Sequence, residues 1–379
     1  MPATILPPLY ARWADEFLGG SIPAEIEATC QQCALLSASP GGDIIHGIHP
    51  RTKCCGYYPD LSNFQVGNII NETDPAAAPA RAVVAARVQA QFMATPTMLE
   101  KPPAYNLLYN KSPYMGSAFR LRCPYYMEDL LNGACGIWQH RNAICMTWFC
   151  KHVRGQVGHS FWRNALEPLF KHLESTLRFW CLTQLDLPDE NLERAMEAAN
   201  CDDDSKFTPE MLDETVDAEM HRALWGPWTG HEAEFYRECG QLVSALSAQE
   251  VLAIGGPEAV IRLRLMRKAY NALISADLPR VVQPGRFWTR PLGDGNAQVA
   301  AYSSSDPLVL PMDVLNLLSY FEGRTVDDAL QAIRQGTEFE MEPALVRKLV
   351  DFGILVDAKG GDIDVQKKIL TPARKNARK

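Results

Sequence analysis

No run of apolar residues in this 379-residue chain approaches the ~20 needed to cross a bilayer, so no spanning helix is expected. The Walker A loop, the GxGxxG turn with its acidic partner, the GxSxG elbow and HExxH are all missing. Their absence removes the standard nucleotide-binding, dinucleotide-binding, serine-hydrolase and zincin readings. The Cys-x-x-x-Cys-x-x-Cys of radical S-adenosylmethionine enzymes is missing as well. Basic charge is in deficit, with 37 Lys and Arg against 45 Asp and Glu and a net charge of −8. That balance argues against broad phosphate binding by the body of the protein. The opening MPATILPPLYARWADEF lacks a basic stretch leading into an apolar one and lacks a small-residue cleavage site. A cytoplasmic protein without a membrane partner is the resulting expectation.

Cysteine is what the chain holds in concentration. Eight of its 11 cysteines lie in the first 150 residues, as Cys30-Gln-Gln-Cys33, Cys54-Cys55, Cys123, Cys135, Cys145 and Cys150. Thiolate is a soft ligand for iron or zinc, and a CxxC turn lets two sulfurs converge from one loop. Neighbouring side chains of an extended dipeptide point to opposite sides, so Cys54 and Cys55 serve one centre only where the backbone turns sharply. Cys181, Cys201 and Cys239 are scattered and read as small packed hydrophobes. An odd cysteine count without an export signal favours metal over disulfides. All eight clustered cysteines are therefore candidate ligands. Cys30, Cys33, Cys54 and Cys55 already suffice for one iron–sulfur cluster, and Cys123, Cys135, Cys145 and Cys150 could supply a second or share in the first.

The run Cys123-Pro-Tyr-Tyr, then Gly133-Ala-Cys135-Gly-Ile-Trp138-Gln-His-Arg141, then Cys145-Met-Thr-Trp-Phe149-Cys150, resembles the second half of the bacterial cysteine-cluster family typified by YkgJ. Cys30, Cys33, Cys54 and Cys55 match its first half. The resemblance covers residues 27–155 and implies zinc or iron chelation, with an iron–sulfur cluster as the form commonly suspected. Two departures stand out: 20 residues separate Cys33 from Cys54 where the family's pairs are almost contiguous, and Asn142 replaces a proline. Cys150 is additional to the pattern. A related cluster in flagellar lysine methylases makes an Fe–S-dependent protein lysine methylase one implied activity. Beside a four-thiolate centre, Arg141 would offset negative charge and donate hydrogen bonds to sulfur, raising a reduction potential. Trp138, Trp148, Phe149, Tyr125 and Tyr126 would shield the centre from water.

The fold class expected is mainly α (α+β): a helical cysteine-rich metal domain over 1–185, a helical extension over 186–280, a hairpin with a winged-helix-like domain over 281–360, and a basic tail over 361–379. Alanine-rich Pro79–Phe92 predicts a helix, and proline-studded Thr95–Pro113 a loop. His159–Leu182 carries apolar residues at helical spacing with a kink or restart at Pro168. Residues 186–220, including Asp202-Asp203-Asp204, read as an acidic, irregular linker rather than a cation site. Residues 225–277 resume helix after the Trp225–Glu232 turn, where His231 or Glu232 either faces the centre or caps the helix; capping is favoured.

Farther on, Arg286–Ser303 predicts a β-hairpin about Gly293-Asp-Gly295. Three short helices follow, over Met312–Phe321, from Thr325, and from Pro343, with a strand at Ile354–Val356. This order resembles a winged helix of the PqqD-like, peptide-binding variety, carried by Phe321-Glu-Gly323, Thr325-Val-Asp-Asp-Ala329 and Leu349-Val-Asp-Phe-Gly353-Ile-Leu355. The third helix offers only Arg347 and Lys348 among Glu340, Glu342 and Asp351, a poor surface for nucleic acid. The six basic residues of Lys367–Lys379 read as a solvated end. The function expected is therefore a [4Fe–4S] protein serving electron transfer, or modification of a protein or peptide partner met through the C-terminal domain. A structural zinc module is the main alternative, and a redox-sensing DNA-binding regulator a weaker one. Whether the chain is an enzyme stays open.

Overall fold

The computed structural model describes residues 6–28, 48–49, 51–112, 115–130, 133–199 and 209–359. Cys30, Cys33, Cys201, the Asp202–Asp204 run and the basic tail lie outside the described residues. In chain order the elements up to residue 274 are α1 (Pro8–Leu18), β1 (Leu61–Ser62), α2 (Asn63–Asn71), α3 (Ala78–Ala90), β2 (Met98–Leu99), α4 (Pro103–Lys111), β3 (Tyr126–Met127), β4 (Ala134–Cys135), α5 (Ala143–Thr147), α6 (Gly155–Phe161), α7 (Glu167–Gln184), α8 (Asp189–Ala199), α9 (Pro209–Leu212), α10 (Ala218–Trp225), α11 (Glu232–Ala245) and α12 (Ala248–Ile274). The architecture is mainly helical with small antiparallel sheets. Among the described residues no helix is long and apolar enough to cross a membrane. The chain divides into two compact units, Met1–Val153 with Gly158–Ile274, and Arg154–Val157 with Ser275–Lys379.

In the first unit α2 packs on α11 and α7 on α12. Glycine makes the first contact possible: a Cβ at Gly67 would sit 1.8 Å from the Tyr236 carbonyl oxygen. The expected helix of residues 79–92 is α3. The stripe of residues 159–182 is helical throughout, with a π-helical turn over Trp162–Leu166 and Pro168 in the first turn of α7. There its missing N–H costs nothing, so the proline restarts the helix. α12 breaks at Gly256, whose φ of 65° and ψ of −160° precede Pro257 in the same way.

Two segments read as irregular are partly helical. Thr95–Pro113 contains β2 and α4, because Pro103 occupies the first turn of α4 instead of interrupting it. Residues 186–220 contain α8, α9 and the start of α10. Asp189 and Glu190 fall in the first turn of α8, where carboxylates favour the helix dipole, and the Asp217 side chain caps α10. Acidity there marks helix starts, not a linker.

The second unit holds β5 (Val282–Pro284), β6 (Trp288–Pro291), β7 (Asn296–Ala300), β8 (Leu308–Pro311), α13 (Met312–Asn316), α14 (Val326–Gly336), α15 (Pro343–Asp351) and β9 (Leu355–Asp357). β6 and β7 form the expected hairpin, Trp288 facing Ala300, and β8 pairs with β7. β5 pairs with β9. Val299, Phe321, Ile333, Val346, Leu349 and Ile354 form its core. Asp351 binds Arg154 at 2.6 Å and Arg347 at 3.0 Å. The Thr325 hydroxyl accepts from the Asp328 N–H at the start of α14. Thr325→Ala is expected to destabilise this unit by about 1 kcal/mol, read as a lower thermal midpoint, while Thr325→Asn keeps it.

Candidate functional site

The Cys54-Cys55 turn is held from both sides. Thr52, fully buried, donates its hydroxyl to the Gly116 carbonyl at 2.6 Å, and the His49 N–H reaches the same oxygen at 2.8 Å. Gly116 has φ 74°, and a Cβ there would come 2.3 Å from the Lys53 oxygen. Lys53 is left-handed too, with φ 49°. A lysine bears that conformation only where surrounding bonds impose it. The result is the sharp turn that lets Cys54 and Cys55 face one space.

The second cysteine group is stitched to the first. The Cys123 N–H donates to the Cys55 carbonyl at 2.8 Å. β3 and β4 pair Tyr126 with Cys135. Asn142, standing where the resembled family has proline, caps α5 and accepts from the Cys145 N–H at 3.0 Å. Its amide also donates to the Asp60 carbonyl at 3.2 Å. The N-cap preference of asparagine accounts for this hold on the Cys145 backbone.

Cys54, Cys55, Cys123, Cys135, Cys145 and Cys150 all line one cavity of about 370 Å³. Of the aromatics expected to shield it, Trp138, Trp148, Phe149 and Tyr126 line it; Tyr125 does not, lying fully buried with its hydroxyl on Arg87. Tyr57 and Tyr109 line it also. Three cationic side chains, Lys53, Arg141 and Arg163, face this space, and no Asp or Glu stands among its described lining residues. Arg163 is paired with Glu167 behind it. Arg141 is 5% exposed, lies 3.4 Å over the Trp138 ring, and donates to the carbonyls of Trp138 at 3.1 Å and Cys145 at 3.3 Å.

All eight described cysteines are in the reduced thiol form. Burial pushes the Cys123 thiol well above its ordinary range, and charge on Cys135 and Cys145 pushes it further. Burial likewise raises Cys145, with Cys135 adding to the rise and Arg141 opposing it. Cys54 is raised by its hydrogen bond to Cys55 and by burial. The thiols thus sense one another across the cavity, and they ionise together only against added positive charge. Among the described residues, no three His, Cys, Asp or Glu side chains form a group that could hold a metal ion.

Cys181 and Cys239 are fully buried, as expected of packed hydrophobes, and share a hydrogen bond. Neither His231 nor Glu232 lines the cavity. Glu232 accepts from the Gly230 N–H at 2.9 Å and pairs with His221 at 2.7 Å, while the start of α11 carries no side-chain cap, so the expected capping role is not what these residues play.

Sequence reasoning missed Lys53, Tyr57, Tyr109 and Glu174. Glu174 is buried behind α5: its Oε1 accepts from Tyr10 at 2.7 Å, Gln65 at 2.8 Å and the Ala143 N–H at 2.7 Å. Burial, opposed by those hydrogen bonds, raises its carboxyl to about 7. A glutamate one position after Leu173 on an apolar stripe was the available signal. No family model, no curated protein and no solved structure matches this chain.

Proposed function

We propose that the cavity houses an iron–sulfur cluster, most simply [4Fe–4S], and that the protein serves electron transfer or the modification of a protein or peptide partner. The observation that carries this reading is the gathering of all six described clustered cysteines around one cavity. A lone zinc needs four thiolates within about 3.8 Å of one another, given Zn–S distances near 2.3 Å in a tetrahedron. Six thiols lining one cavity of about 370 Å³ exceed the four a single zinc takes and suit a core of several metal atoms, each taking one thiolate. The lining supports the same reading, since its cations are available to offset an anionic thiolate-bound core and it brings no carboxylate charge.

Cys54, Cys123, Cys135 and Cys145 are the four we assign first, because their charges couple across the cavity. Cys55 and Cys150 line it as well, and Cys30 and Cys33 remain candidate ligands outside the described residues. When bound, the cluster supplies a one-electron couple. Arg141 and Lys53 bring positive charge to the thiolate wall and stabilise its added electron. Trp138 holds the guanidinium flat, and the aromatic wall limits water. The second unit, with its short helices and hairpin, is where we place contact with a peptide or protein.

The test is iron and acid-labile sulfide content, with a visible spectrum, on protein purified without oxygen. About four of each per chain and a brown colour are expected; colourless protein with one or two zincs would replace this reading by a structural zinc module.

A further inference from the structure

We infer that the exposed face of α12 beyond its break, from Pro257 to Ile274, is a seat for a bilayer surface rich in anionic phospholipid. The inference does not depend on what the cysteine cavity holds. After the break α12 buries Ala259, Leu263, Met266, Tyr270 and Leu273 within the first unit, where it packs on α7 and α1. These positions recur at helical spacing, so the opposite face looks outward. That face carries Ile261, Arg264, Leu265, Lys268 and Ala272, all exposed. Their spacing from Ile261, of three, four, seven and eleven positions, places them within an arc of about 100° on one side of the helix.

Ile261 and Leu265 are 58% and 57% exposed, and Val260 and Ile274 on the flank of the stripe are 42% and 53% exposed. Four large aliphatic groups in water along one helix form a patch, not isolated side chains. Cations are interleaved with them. Ala259–Ile274 holds Arg262, Arg264, Arg267 and Lys268 and no acid. Arg262 is paired with Glu258 at 2.5 Å, and Arg267 donates to the Phe17 carbonyl at 2.8 Å. Among the described residues neither Arg264 nor Lys268 belongs to an ion pair, so the middle of the stripe is positively charged. The flanking helices add equal numbers of each sign: Arg12 on α1 and Lys171 on α7 are exposed, as are Asp15 and Glu16 on α1.

The interleaving selects the occupant. Protein contacts deplete lysine and unpaired charge from their dry core, whereas Lys268 and Arg264 stand among Ile261, Leu265 and Ala272. A second copy laid antiparallel across the stripe would set these cations against themselves. Nucleic acid would take the cations and leave the aliphatic groups in water. At a bilayer surface both are satisfied: the aliphatic side chains enter the boundary of the acyl region, and the long stems of Arg264 and Lys268 lie along it with their charges on lipid phosphates. No described helix is long and apolar enough to cross a membrane, so the contact is one in which α12 lies along the surface.

The test is co-sedimentation of the full chain with phosphatidylcholine vesicles, with and without phosphatidylserine. At low salt the partition coefficient is expected to rise about tenfold when phosphatidylserine is present, and to fall back as salt is added. Arg264→Glu with Lys268→Glu should abolish that rise. Ile261→Ser with Leu265→Ser should lower binding by about tenfold with every cation kept. All four side chains are exposed, so both variants should melt at the wild-type temperature, which checks that they fold. Binding unchanged in either variant overturns the proposal; that is the result if the basic residues of Lys367–Lys379 alone hold the vesicles. Equal binding to both kinds of vesicle overturns it too. So does binding of polyglutamate, lost in the charge variant, under conditions where vesicles do not bind, which would put an acidic protein on this face instead.

Discussion

Cys145→Ser protein, purified without oxygen, is expected to retain less than about a quarter of the wild-type iron and sulfide and to lose its visible absorption. Cys145 stands where three influences meet. Its N–H is fixed by Asn142, its carbonyl by Arg141, and its thiol responds to both Cys135 and Cys54. A serine oxygen is a harder, far less acidic donor, so it leaves one metal position weakly held. Cys239→Ser is the matched control. It removes a fully buried thiol from α11, away from the cavity lining, and should cost stability while keeping iron at the wild-type level. Equal iron in both variants would remove Cys145 from the ligand set. Loss of metal should also open the Cys54–Cys55 turn and the segment around Cys123 to proteases, since binding energy at such a site is folding energy.

Legibility in the sequence followed the range of the interactions. The hairpin of β6 and β7, the Thr325 cap and the stop at Gly353 were readable because each depends on residues a few positions apart. Composition misleads at α4 and α8: proline and acid suggest irregular chain, whereas each occupies the first helical turn, the position that tolerates it. The cysteines announced themselves by number. What brings them together did not, because the Thr52–Gly116 hydrogen bond and the Cys123–Cys55 hydrogen bond each join residues more than sixty positions apart. Lys53 gave no signal at all. Its left-handed backbone is imposed by the turn, and nothing in Thr-Lys-Cys-Cys marks it.

Glu174→Gln is expected to remove a pH dependence of stability that wild type shows below neutrality. The carboxyl is enclosed by α1 through Tyr10, by α2 through Gln65 and by the start of α5 through Ala143. Lys171 also acts on it, and its own charge reaches Cys145 and Tyr57 on the cavity wall. In the folded protein its pKa is raised to about 7 by burial, against 4.5 for the ordinary carboxyl. Below about pH 4.5 both states are protonated and the group contributes no pH dependence. Between there and pH 7 the unfolded chain ionises while the folded one keeps its proton, so folding stability falls as pH rises. Above pH 7 the loss is complete, at about 3 kcal/mol. Glutamine retains an acceptor for Tyr10 and for the Ala143 N–H and carries no charge. Urea midpoints at pH 5 and pH 8 should therefore show the variant gaining about 2 to 3 kcal/mol on wild type over that interval. Parallel pH profiles would mean that Glu174 ionises in the fold at an ordinary pH. A carboxylate would then sit permanently behind α5, and the positive lining of the cavity would have that charge to offset as well as the cluster's own.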